Sequence, residues 1–382
     1  MTTKLLVSTI AGTLMLTGQA FAQPYTFVAI DVRCPANADP SACPAGLAPG
    51  QVAAQTGARG INARGDVVGF YFVVTGGLQR GFVLAGGKYT SLDLPVAGVR
   101  GTVANGINPR GEIVGQYLAP VHDLSNPPSE ASPLYCPGAS DPACIKGFLY
   151  SGGRFYTLLF PDTVDEDGAV RKHLGAIAQR ITADGDIYGC VHGHDLGASM
   201  FGAAWTRSGT LSLAYGGGQL FDPLMVPMAV PMSMSNGATL GGTAVAGLFM
   251  DMSNRQHGFV VRNGVLETYD ATPTVLPTPT ATPALTSIWD MNASQQFVGT
   301  YRAVGEPPTK RHGFLQNPDG SAPVTVDFTC QNLDGCSGAP FGAVAFSTIA
   351  YGINPSGVIV GQYQLVSGGA IHAFVAIPPD VK

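Results

Sequence analysis

The chain has 382 residues, a formal net charge of −5 and only 12% charged side chains. That balance carries no basic footprint, so nucleic acid is not an expected partner. An apolar content of 45% is too high for a disordered chain, and 51 glycines with 29 prolines point to an all-β, turn-rich fold.

In chain order, Met1–Ala22 reads as a secretory signal. Lys4 supplies the positive start, Leu5–Leu16 the apolar segment and Ala20-Phe21-Ala22 the small-residue cleavage site. The mature chain (23–382) is therefore expected to be secreted or periplasmic. No later stretch reaches the length of a membrane span, about 18 apolar residues.

Next comes Tyr25–Asp31, a strand-like run that ends on an acid and has no unit of its own. After it, one phrase recurs six times. The clearest copies are Gly60-Ile61-Asn62 leading to Val67-Val68-Gly69-Phe70-Tyr71, Gly106-Ile107-Asn108 leading to Ile113-Val114-Gly115-Gln116-Tyr117, and Gly352-Ile353-Asn354 leading to Ile359-Val360-Gly361-Gln362-Tyr363. Weaker copies are marked by Gly189, Gly247 and Gly299. A Gly-Phe or Ala-Phe pair follows in five copies (Phe82, Phe148, Phe259, Phe314, Phe374), whereas the third reads Ala203-Ala204-Trp205. Then comes a run ending near an acid, as in Thr90-Ser91-Leu92-Asp93 and Val324-Thr325-Val326-Asp327.

Each copy thus holds four short strands. Asn-x-x-Gly between the first two suits a positive-φ turn, and Gly86-Gly87, Gly152-Gly153 and Asn263-Gly264 suit hairpins between the last two. Four antiparallel strands per repeat describe a β-propeller blade. The expected blades span 52–95, 100–161, 175–222, 229–271, 285–329 and 345–378, the last lacking its fourth strand. Tyr25–Asp31 supplies the missing strand, which closes a six-bladed ring and removes an exposed edge.

The Gly-Ile-Asn, Ile-Val-Gly-x-Tyr and His-Gly/Ala-Phe pattern resembles the HAF-type probable extracellular repeat family. His257-Gly258-Phe259, His312-Gly313-Phe314 and His372-Ala373-Phe374 carry the likeness. The resemblance implies a secreted propeller-like protein and supplies no catalytic residues.

Of seven cysteines, six form near neighbours, Cys34/Cys43, Cys136/Cys144 and Cys330/Cys336, which read as three local disulfides in an oxidising compartment. Cys190 is expected to be a buried thiol. The spacing between strands places the long connections, such as Leu118–Ile145 and Val32–Thr56, on one face, with uniformly tight turns on the other. Binding or catalysis belongs on the long-loop face.

On that face Cys190-Val191-His192-Gly193-His194-Asp195 breaks the repeat, and the charge-dense connection before it carries Asp165, Glu166, Asp167 and His173. Imidazoles beside carboxylates suit acid/base or metal chemistry, so His192, His194, His173 and Asp195 are the candidate catalytic residues. His257, His312 and His372 recur with the repeat and are expected to be structural, donating to backbone carbonyls. Met225, Met228, Met232 and Met234 read as an apolar loop, with a thioether copper site as the alternative. Thr272–Thr286 reads as an extended Pro/Thr spacer. A Gly-x-Ser-x-Gly elbow, His-Glu-x-x-His and a phosphate loop are all missing.

The favoured function is a monomeric secreted binding module whose loops meet a glycan, polymer or protein. The alternative is a secreted hydrolase or lyase. The residues name no cofactor and no particular ligand.

Overall fold

The computed structural model describes residues 25–381 apart from 123–127, 130–131, 133, 139, 159, 161, 165–169, 172–174, 193–199, 208–218, 221–232, 239–243, 252, 254, 273–282, 332–335 and 337. The signal segment, His194, His173, Asp195 and Met225, Met228 and Met232 lie outside the described residues.

The fold is all-β, of the β-propeller kind. Its strands group into successive antiparallel units. Unit I holds Gln55–Ile61, Val67–Phe72, Gln79–Ala85 and Lys88–Leu92. Unit II holds Gly101–Ile107, Ile113–Leu118, Ile145–Ser151 and Arg154–Leu158. Gly175–Ile181, Ile187–His192, Met200–Trp205 and Gln219–Leu220 make unit III. Ser233–Ala238, Ala244–Met250, Gln256–Arg262 and Val265–Tyr269 make unit IV, and Leu285–Met291, Phe297–Arg302, His312–Gln316 and Val324–Thr325 unit V. Unit VI takes Ser347–Ile353, Ile359–Gln364 and His372–Ile377 from the end of the chain and Thr26–Ala29 from its beginning.

The first strands of consecutive units touch in cyclic order, and unit VI returns to unit I. They are therefore the innermost strands. In every unit the first strand carries a β-bulge at the same place, Ala58/Gly60 in unit I and Ala350/Gly352 in unit VI.

The repeated glycine of the second strand is required by crowding. A Cβ on Gly299 would sit 2.1 Å from the Ser287 carbonyl oxygen and 2.6 Å from the Phe314 ring, and Gly69, Gly115 and Gly361 meet the same obstruction. The Gly-Phe signal has the same origin, because Phe82, Phe148, Phe314 and Phe374 are wholly buried over these glycines, and the equally buried Phe259 pairs with Gly247. In unit III the register puts Gly202-Ala203 at this position, and Trp205 is buried against Phe160 instead.

The turn asparagines act differently from expectation. Asn62, Asn108, Asn292 and Asn354 are buried, and positive φ falls instead on Gly65, Gly111, Gly357 and, in unit V, Gln295. Each Asn Oδ1 accepts two backbone N–H groups of its own turn, as Asn354 does from Ser356 and Val358, both at 3.0 Å. Each Nδ2 then donates to the next unit: Asn292 to the Asn354 carbonyl, Asn354 to Asn62, Asn62 to Asn108 and Asn108 to Thr182. A local cap is thus also a tie between units, and one of these ties joins unit VI to unit I. Thr56, Thr286 and Thr348 make a second recurrent tie, each accepting from the incoming connection at 3.0–3.1 Å.

The three expected disulfides are present, and Cys190 is a buried thiol outside any disulfide. No helix among the described residues is long and apolar enough to cross a membrane. The connections on the tight-turn face are not uniform. Units I, II and IV turn through 86–87, 152–153 and 263–264, but unit V needs 317–323. That longer turn precedes a two-residue outer strand, Val324–Thr325, and so replaces lost pairing with loop.

The recurrent histidines are structural, but their partner is a carboxylate rather than a backbone carbonyl. His372 Nδ1 meets Asp31 Oδ2 at 2.7 Å while Asp31 Oδ1 accepts the Ala373 N–H at 3.0 Å. His312 and Asp327 repeat this at 2.6 and 3.1 Å, and His257 pairs with Asp270 at 2.9 Å. The acid ending the fourth strand thus clasps the start of the third, and in unit I Arg80 takes the histidine's place against Asp93. The His372 ring stacks on Tyr363 and the His312 ring on Tyr301. In unit VI the clasp joins the two ends of the chain.

Two outcomes follow. Gly299→Ala should lower stability by about 3 kcal/mol through overpacking against backbone, measured by denaturant unfolding. The second concerns pH. The Asp31 hydrogen bond raises His372 above the ordinary imidazole value; for His312 burial opposes the charge, but Asp327 and Glu306 prevail and the net shift is also upward. Stability from these clasps is complete below the unfolded value, about 6.5, and is lost as pH rises through the raised folded values. Melting temperature should fall over that window in the parent and change less in His372→Gln.

Candidate functional site

The axis of the ring is filled at the level of the Gly-Ile-Asn phrase. Gly60, Gly106 and Gly352 occupy the innermost position in three units, and a Cβ there would lie within about 3 Å of the neighbouring unit's backbone. Unit III puts Arg180 at the equivalent place and unit V puts Asp290. Arg180 Nε lies 3.0 Å from Asp290 Oδ1. Arg180 Nη1 donates to the carbonyls of Asn105 and Gln179, both at 2.7 Å, and Nη2 to those of Arg59, at 3.1 Å, and Tyr351. Asp290 also accepts from Ile353 N at 3.0 Å. Burial drives the Arg180 value down and the Asp290 value up, and their mutual charge works against both shifts.

Immediately before this plug stands the bulge residue, whose side chain a bulge re-aims. It is Arg59, Asn105, Gln179, Trp289 and Tyr351 in units I, II, III, V and VI. Arg59 lies over the Tyr351 ring at 3.8 Å and 5.1 Å from Phe70, and Trp289 meets Tyr351 at 5.1 Å. Gln362 and Phe70 converge over Gly57, where a Cβ would be 2.8 Å from Gln362 Oε1 and 2.5 Å from the Phe70 ring. Arg302 ends the second strand of unit V and Arg311 precedes its third, so this patch belongs to the long-loop face. Burial and the neighbouring Arg302 charge both lower the Arg311 value, while Tyr351 opposes them.

Within this mouth, Arg59 Nε, Arg302 Nε, Trp289 Nε1 and Gln362 Oε1 are buried and have no hydrogen-bond partner. Buried polar atoms are normally satisfied, and these four exceptions mark a candidate site.

His192 lies on the same face. It ends the second strand of unit III, at the register position that Arg302 takes in unit V. It is 6% exposed, its Nε2 is 3.6 Å from Cys190 Sγ, and burial drives it down to about 4. At neutral pH it is therefore an uncharged imidazole beside a thiol whose own value burial pushes far up. Among the described residues no group of three His, Cys, Asp or Glu side chains is placed to hold a metal. A groove of about 600 Å³ between units IV and V is lined by Arg262, Glu267, Tyr269, Gln295 and Gln316. Its polar groups bond to one another, Arg262 to Glu267 and Gln295, Tyr269 to Gln316, so it offers little to a ligand.

No family model matches the chain, so the HAF-type assignment has no family match behind it, and no curated protein matches either. Solved structures do. A sialidase of Trypanosoma rangeli superposes with a TM-score of 0.51 at 9% identity, over 94% of this chain and 59% of that one. The SapL1 lectin gives 0.45 at 13% identity, over 86% and 98%, and the six-bladed Aleuria aurantia lectin 0.39 at 10%, over 86% and 97%. At these identities the likeness extends to the fold alone.

Proposed function

We propose that the chain is a secreted, six-bladed HAF-type propeller that binds a ligand on its long-loop face, at the axial mouth formed by Arg59, Trp289, Arg302, Tyr351 and Gln362. The last blade is the composite of both chain ends. The reading rests chiefly on the four buried, unpartnered polar atoms of that mouth. Supporting it, the innermost position below is occupied by the Arg180–Asp290 pair, so the mouth is a cup with a charged floor rather than a channel. Three disulfides brace connections of the same face and accord with an extracytoplasmic setting.

A second reading keeps a hydrolase or lyase in play, because His192 is a neutral imidazole on the same face and could act as a base together with His194, His173 and Asp195. The two readings separate in one experiment. The mature protein is titrated with a polysaccharide and oligosaccharide panel by calorimetry while products are followed by chromatography. Binding without turnover, weakened about tenfold or about 1.4 kcal/mol by Trp289→Ala and unchanged in His192→Ala, is expected. Turnover that disappears in His192→Ala would establish the enzyme reading instead.

A further inference from the structure

We infer that the axial mouth is an oxyanion site: it takes a saccharide-sized ligand bearing a carboxylate or sulfate group, held by Arg59, Arg302 and Arg311. This rests on the binding reading above and adds the chemistry of the ligand.

The argument begins with charge. Among the described residues Arg59 makes no ion pair; its cation is spent on the Tyr351 and Phe70 rings. Arg302 has no acceptor for its buried Nε and, among the described residues, makes no ion pair. Among the described residues Arg311 donates to the carbonyls of Pro308 and Lys310, at 2.5 and 2.7 Å. The nearby acids are committed elsewhere. Asp290 is taken by Arg180, Glu306 by Lys310 and His312, and Asp327 by His312. Other half-buried arginines of this protein do find acids: Arg80 has Asp93, Arg255 has Asp270 and Arg262 has Glu267. Among the described residues, these three neighbouring guanidinium groups make no ion pair.

The geometry agrees with the charge. Desolvating a cation without an anion is costly, and a planar fork of N–H donors is matched by carboxylate or sulfate oxygens. Arg59, Trp289, Arg302, Arg311 and Gln362 are all half-buried side chains, and the unpartnered Arg59, Trp289, Arg302 and Gln362 atoms are themselves covered by their neighbours. The indole N–H of Trp289 and the amide oxygen of Gln362 add one donor and one acceptor. That pairing suits hydroxyl groups on the same ligand, and the indole offers an apolar surface to a ring.

The test uses three matched ligands and the full mature protein. Trigalacturonate carries carboxylates, sulfated galactotriose carries sulfates and galactotriose carries neither. Calorimetric titration should give tighter binding of at least one acidic ligand than of galactotriose, by tenfold or more, with affinity falling as salt is raised. Which acidic ligand prevails identifies the oxyanion. Arg302→Gln should remove most of that preference, and Arg302→Lys should restore part of it. Arg59→Gln should act in the same direction, and because Arg59 also packs on Tyr351 its variant is accepted only if it melts like the parent. Galactotriose that binds as tightly as both acidic ligands, with Trp289→Ala weakening all three alike, would overturn the oxyanion assignment while the axial binding reading survives. Acidic ligands that bind with no sensitivity to Arg302 or Arg59 would also overturn it. So would failure of both acidic ligands to bind at millimolar concentration.

Discussion

The guanidinium of Arg180 touches more of this fold than any other described side chain. It belongs to unit III, yet it reaches backbone carbonyls of units I, II and VI and the carboxylate of Asp290 in unit V. These groups can meet only because three other units present glycine at the same innermost position, where a side chain would strike neighbouring backbone. Strand carbonyls that face the axis have no ladder partner. A single planar cation with five donors satisfies four of them and is neutralised by one acid. The remaining ties, the Asn-to-carbonyl series and the Thr-to-connection bonds, hold each unit to the next around this centre.

The repeat was readable because its cause is local. The second-strand glycine, the Phe over it, the turn and the terminal acid each answer a steric or hydrogen-bonding demand inside one unit, so they recur wherever the unit recurs. The pairing of Thr26–Ala29 with His372–Ile377 was readable for a related reason: the last copy lacked a strand, and the chain began with one to spare. The three disulfides followed from short spacing alone. The carboxylate partner of the recurrent histidines was hidden because Asp31 and His372 lie at opposite ends of the sequence, although Asp327 and Asp270 stood in plain view at the matching place.

The mouth was harder to see. Arg59, Trp289 and Tyr351 fall on the bulge residue just before the Gly-Ile-Asn phrase, where the repeat varies freely; attention to the regular positions passes over them. Their variability is itself the missed signal. Arg180 and Asp290 likewise look like decayed copies of glycine when each unit is read alone, and acquire a meaning only when the ring places them opposite one another. The His192 grouping stood out in sequence because it breaks the pattern, but of its members only His192 is described, and it is buried and uncharged. The binding proposed at this centre rests on the same construction as stability: the Arg180–Asp290 pair fills the innermost position, and the bulges place Arg59, Trp289 and Tyr351 against one another beside it.

The most direct test is a double-mutant cycle on the axis. Arg180→Met and Asp290→Leu should each destabilise by about 3–5 kcal/mol, since each leaves one buried charge unpaired. The double variant should lose less than the sum of the two, because no lone charge remains, while the carbonyls that Arg180 held stay unpaired. Single variants that unfold like the parent, or losses that simply add, would contradict the view that this pair anchors the ring.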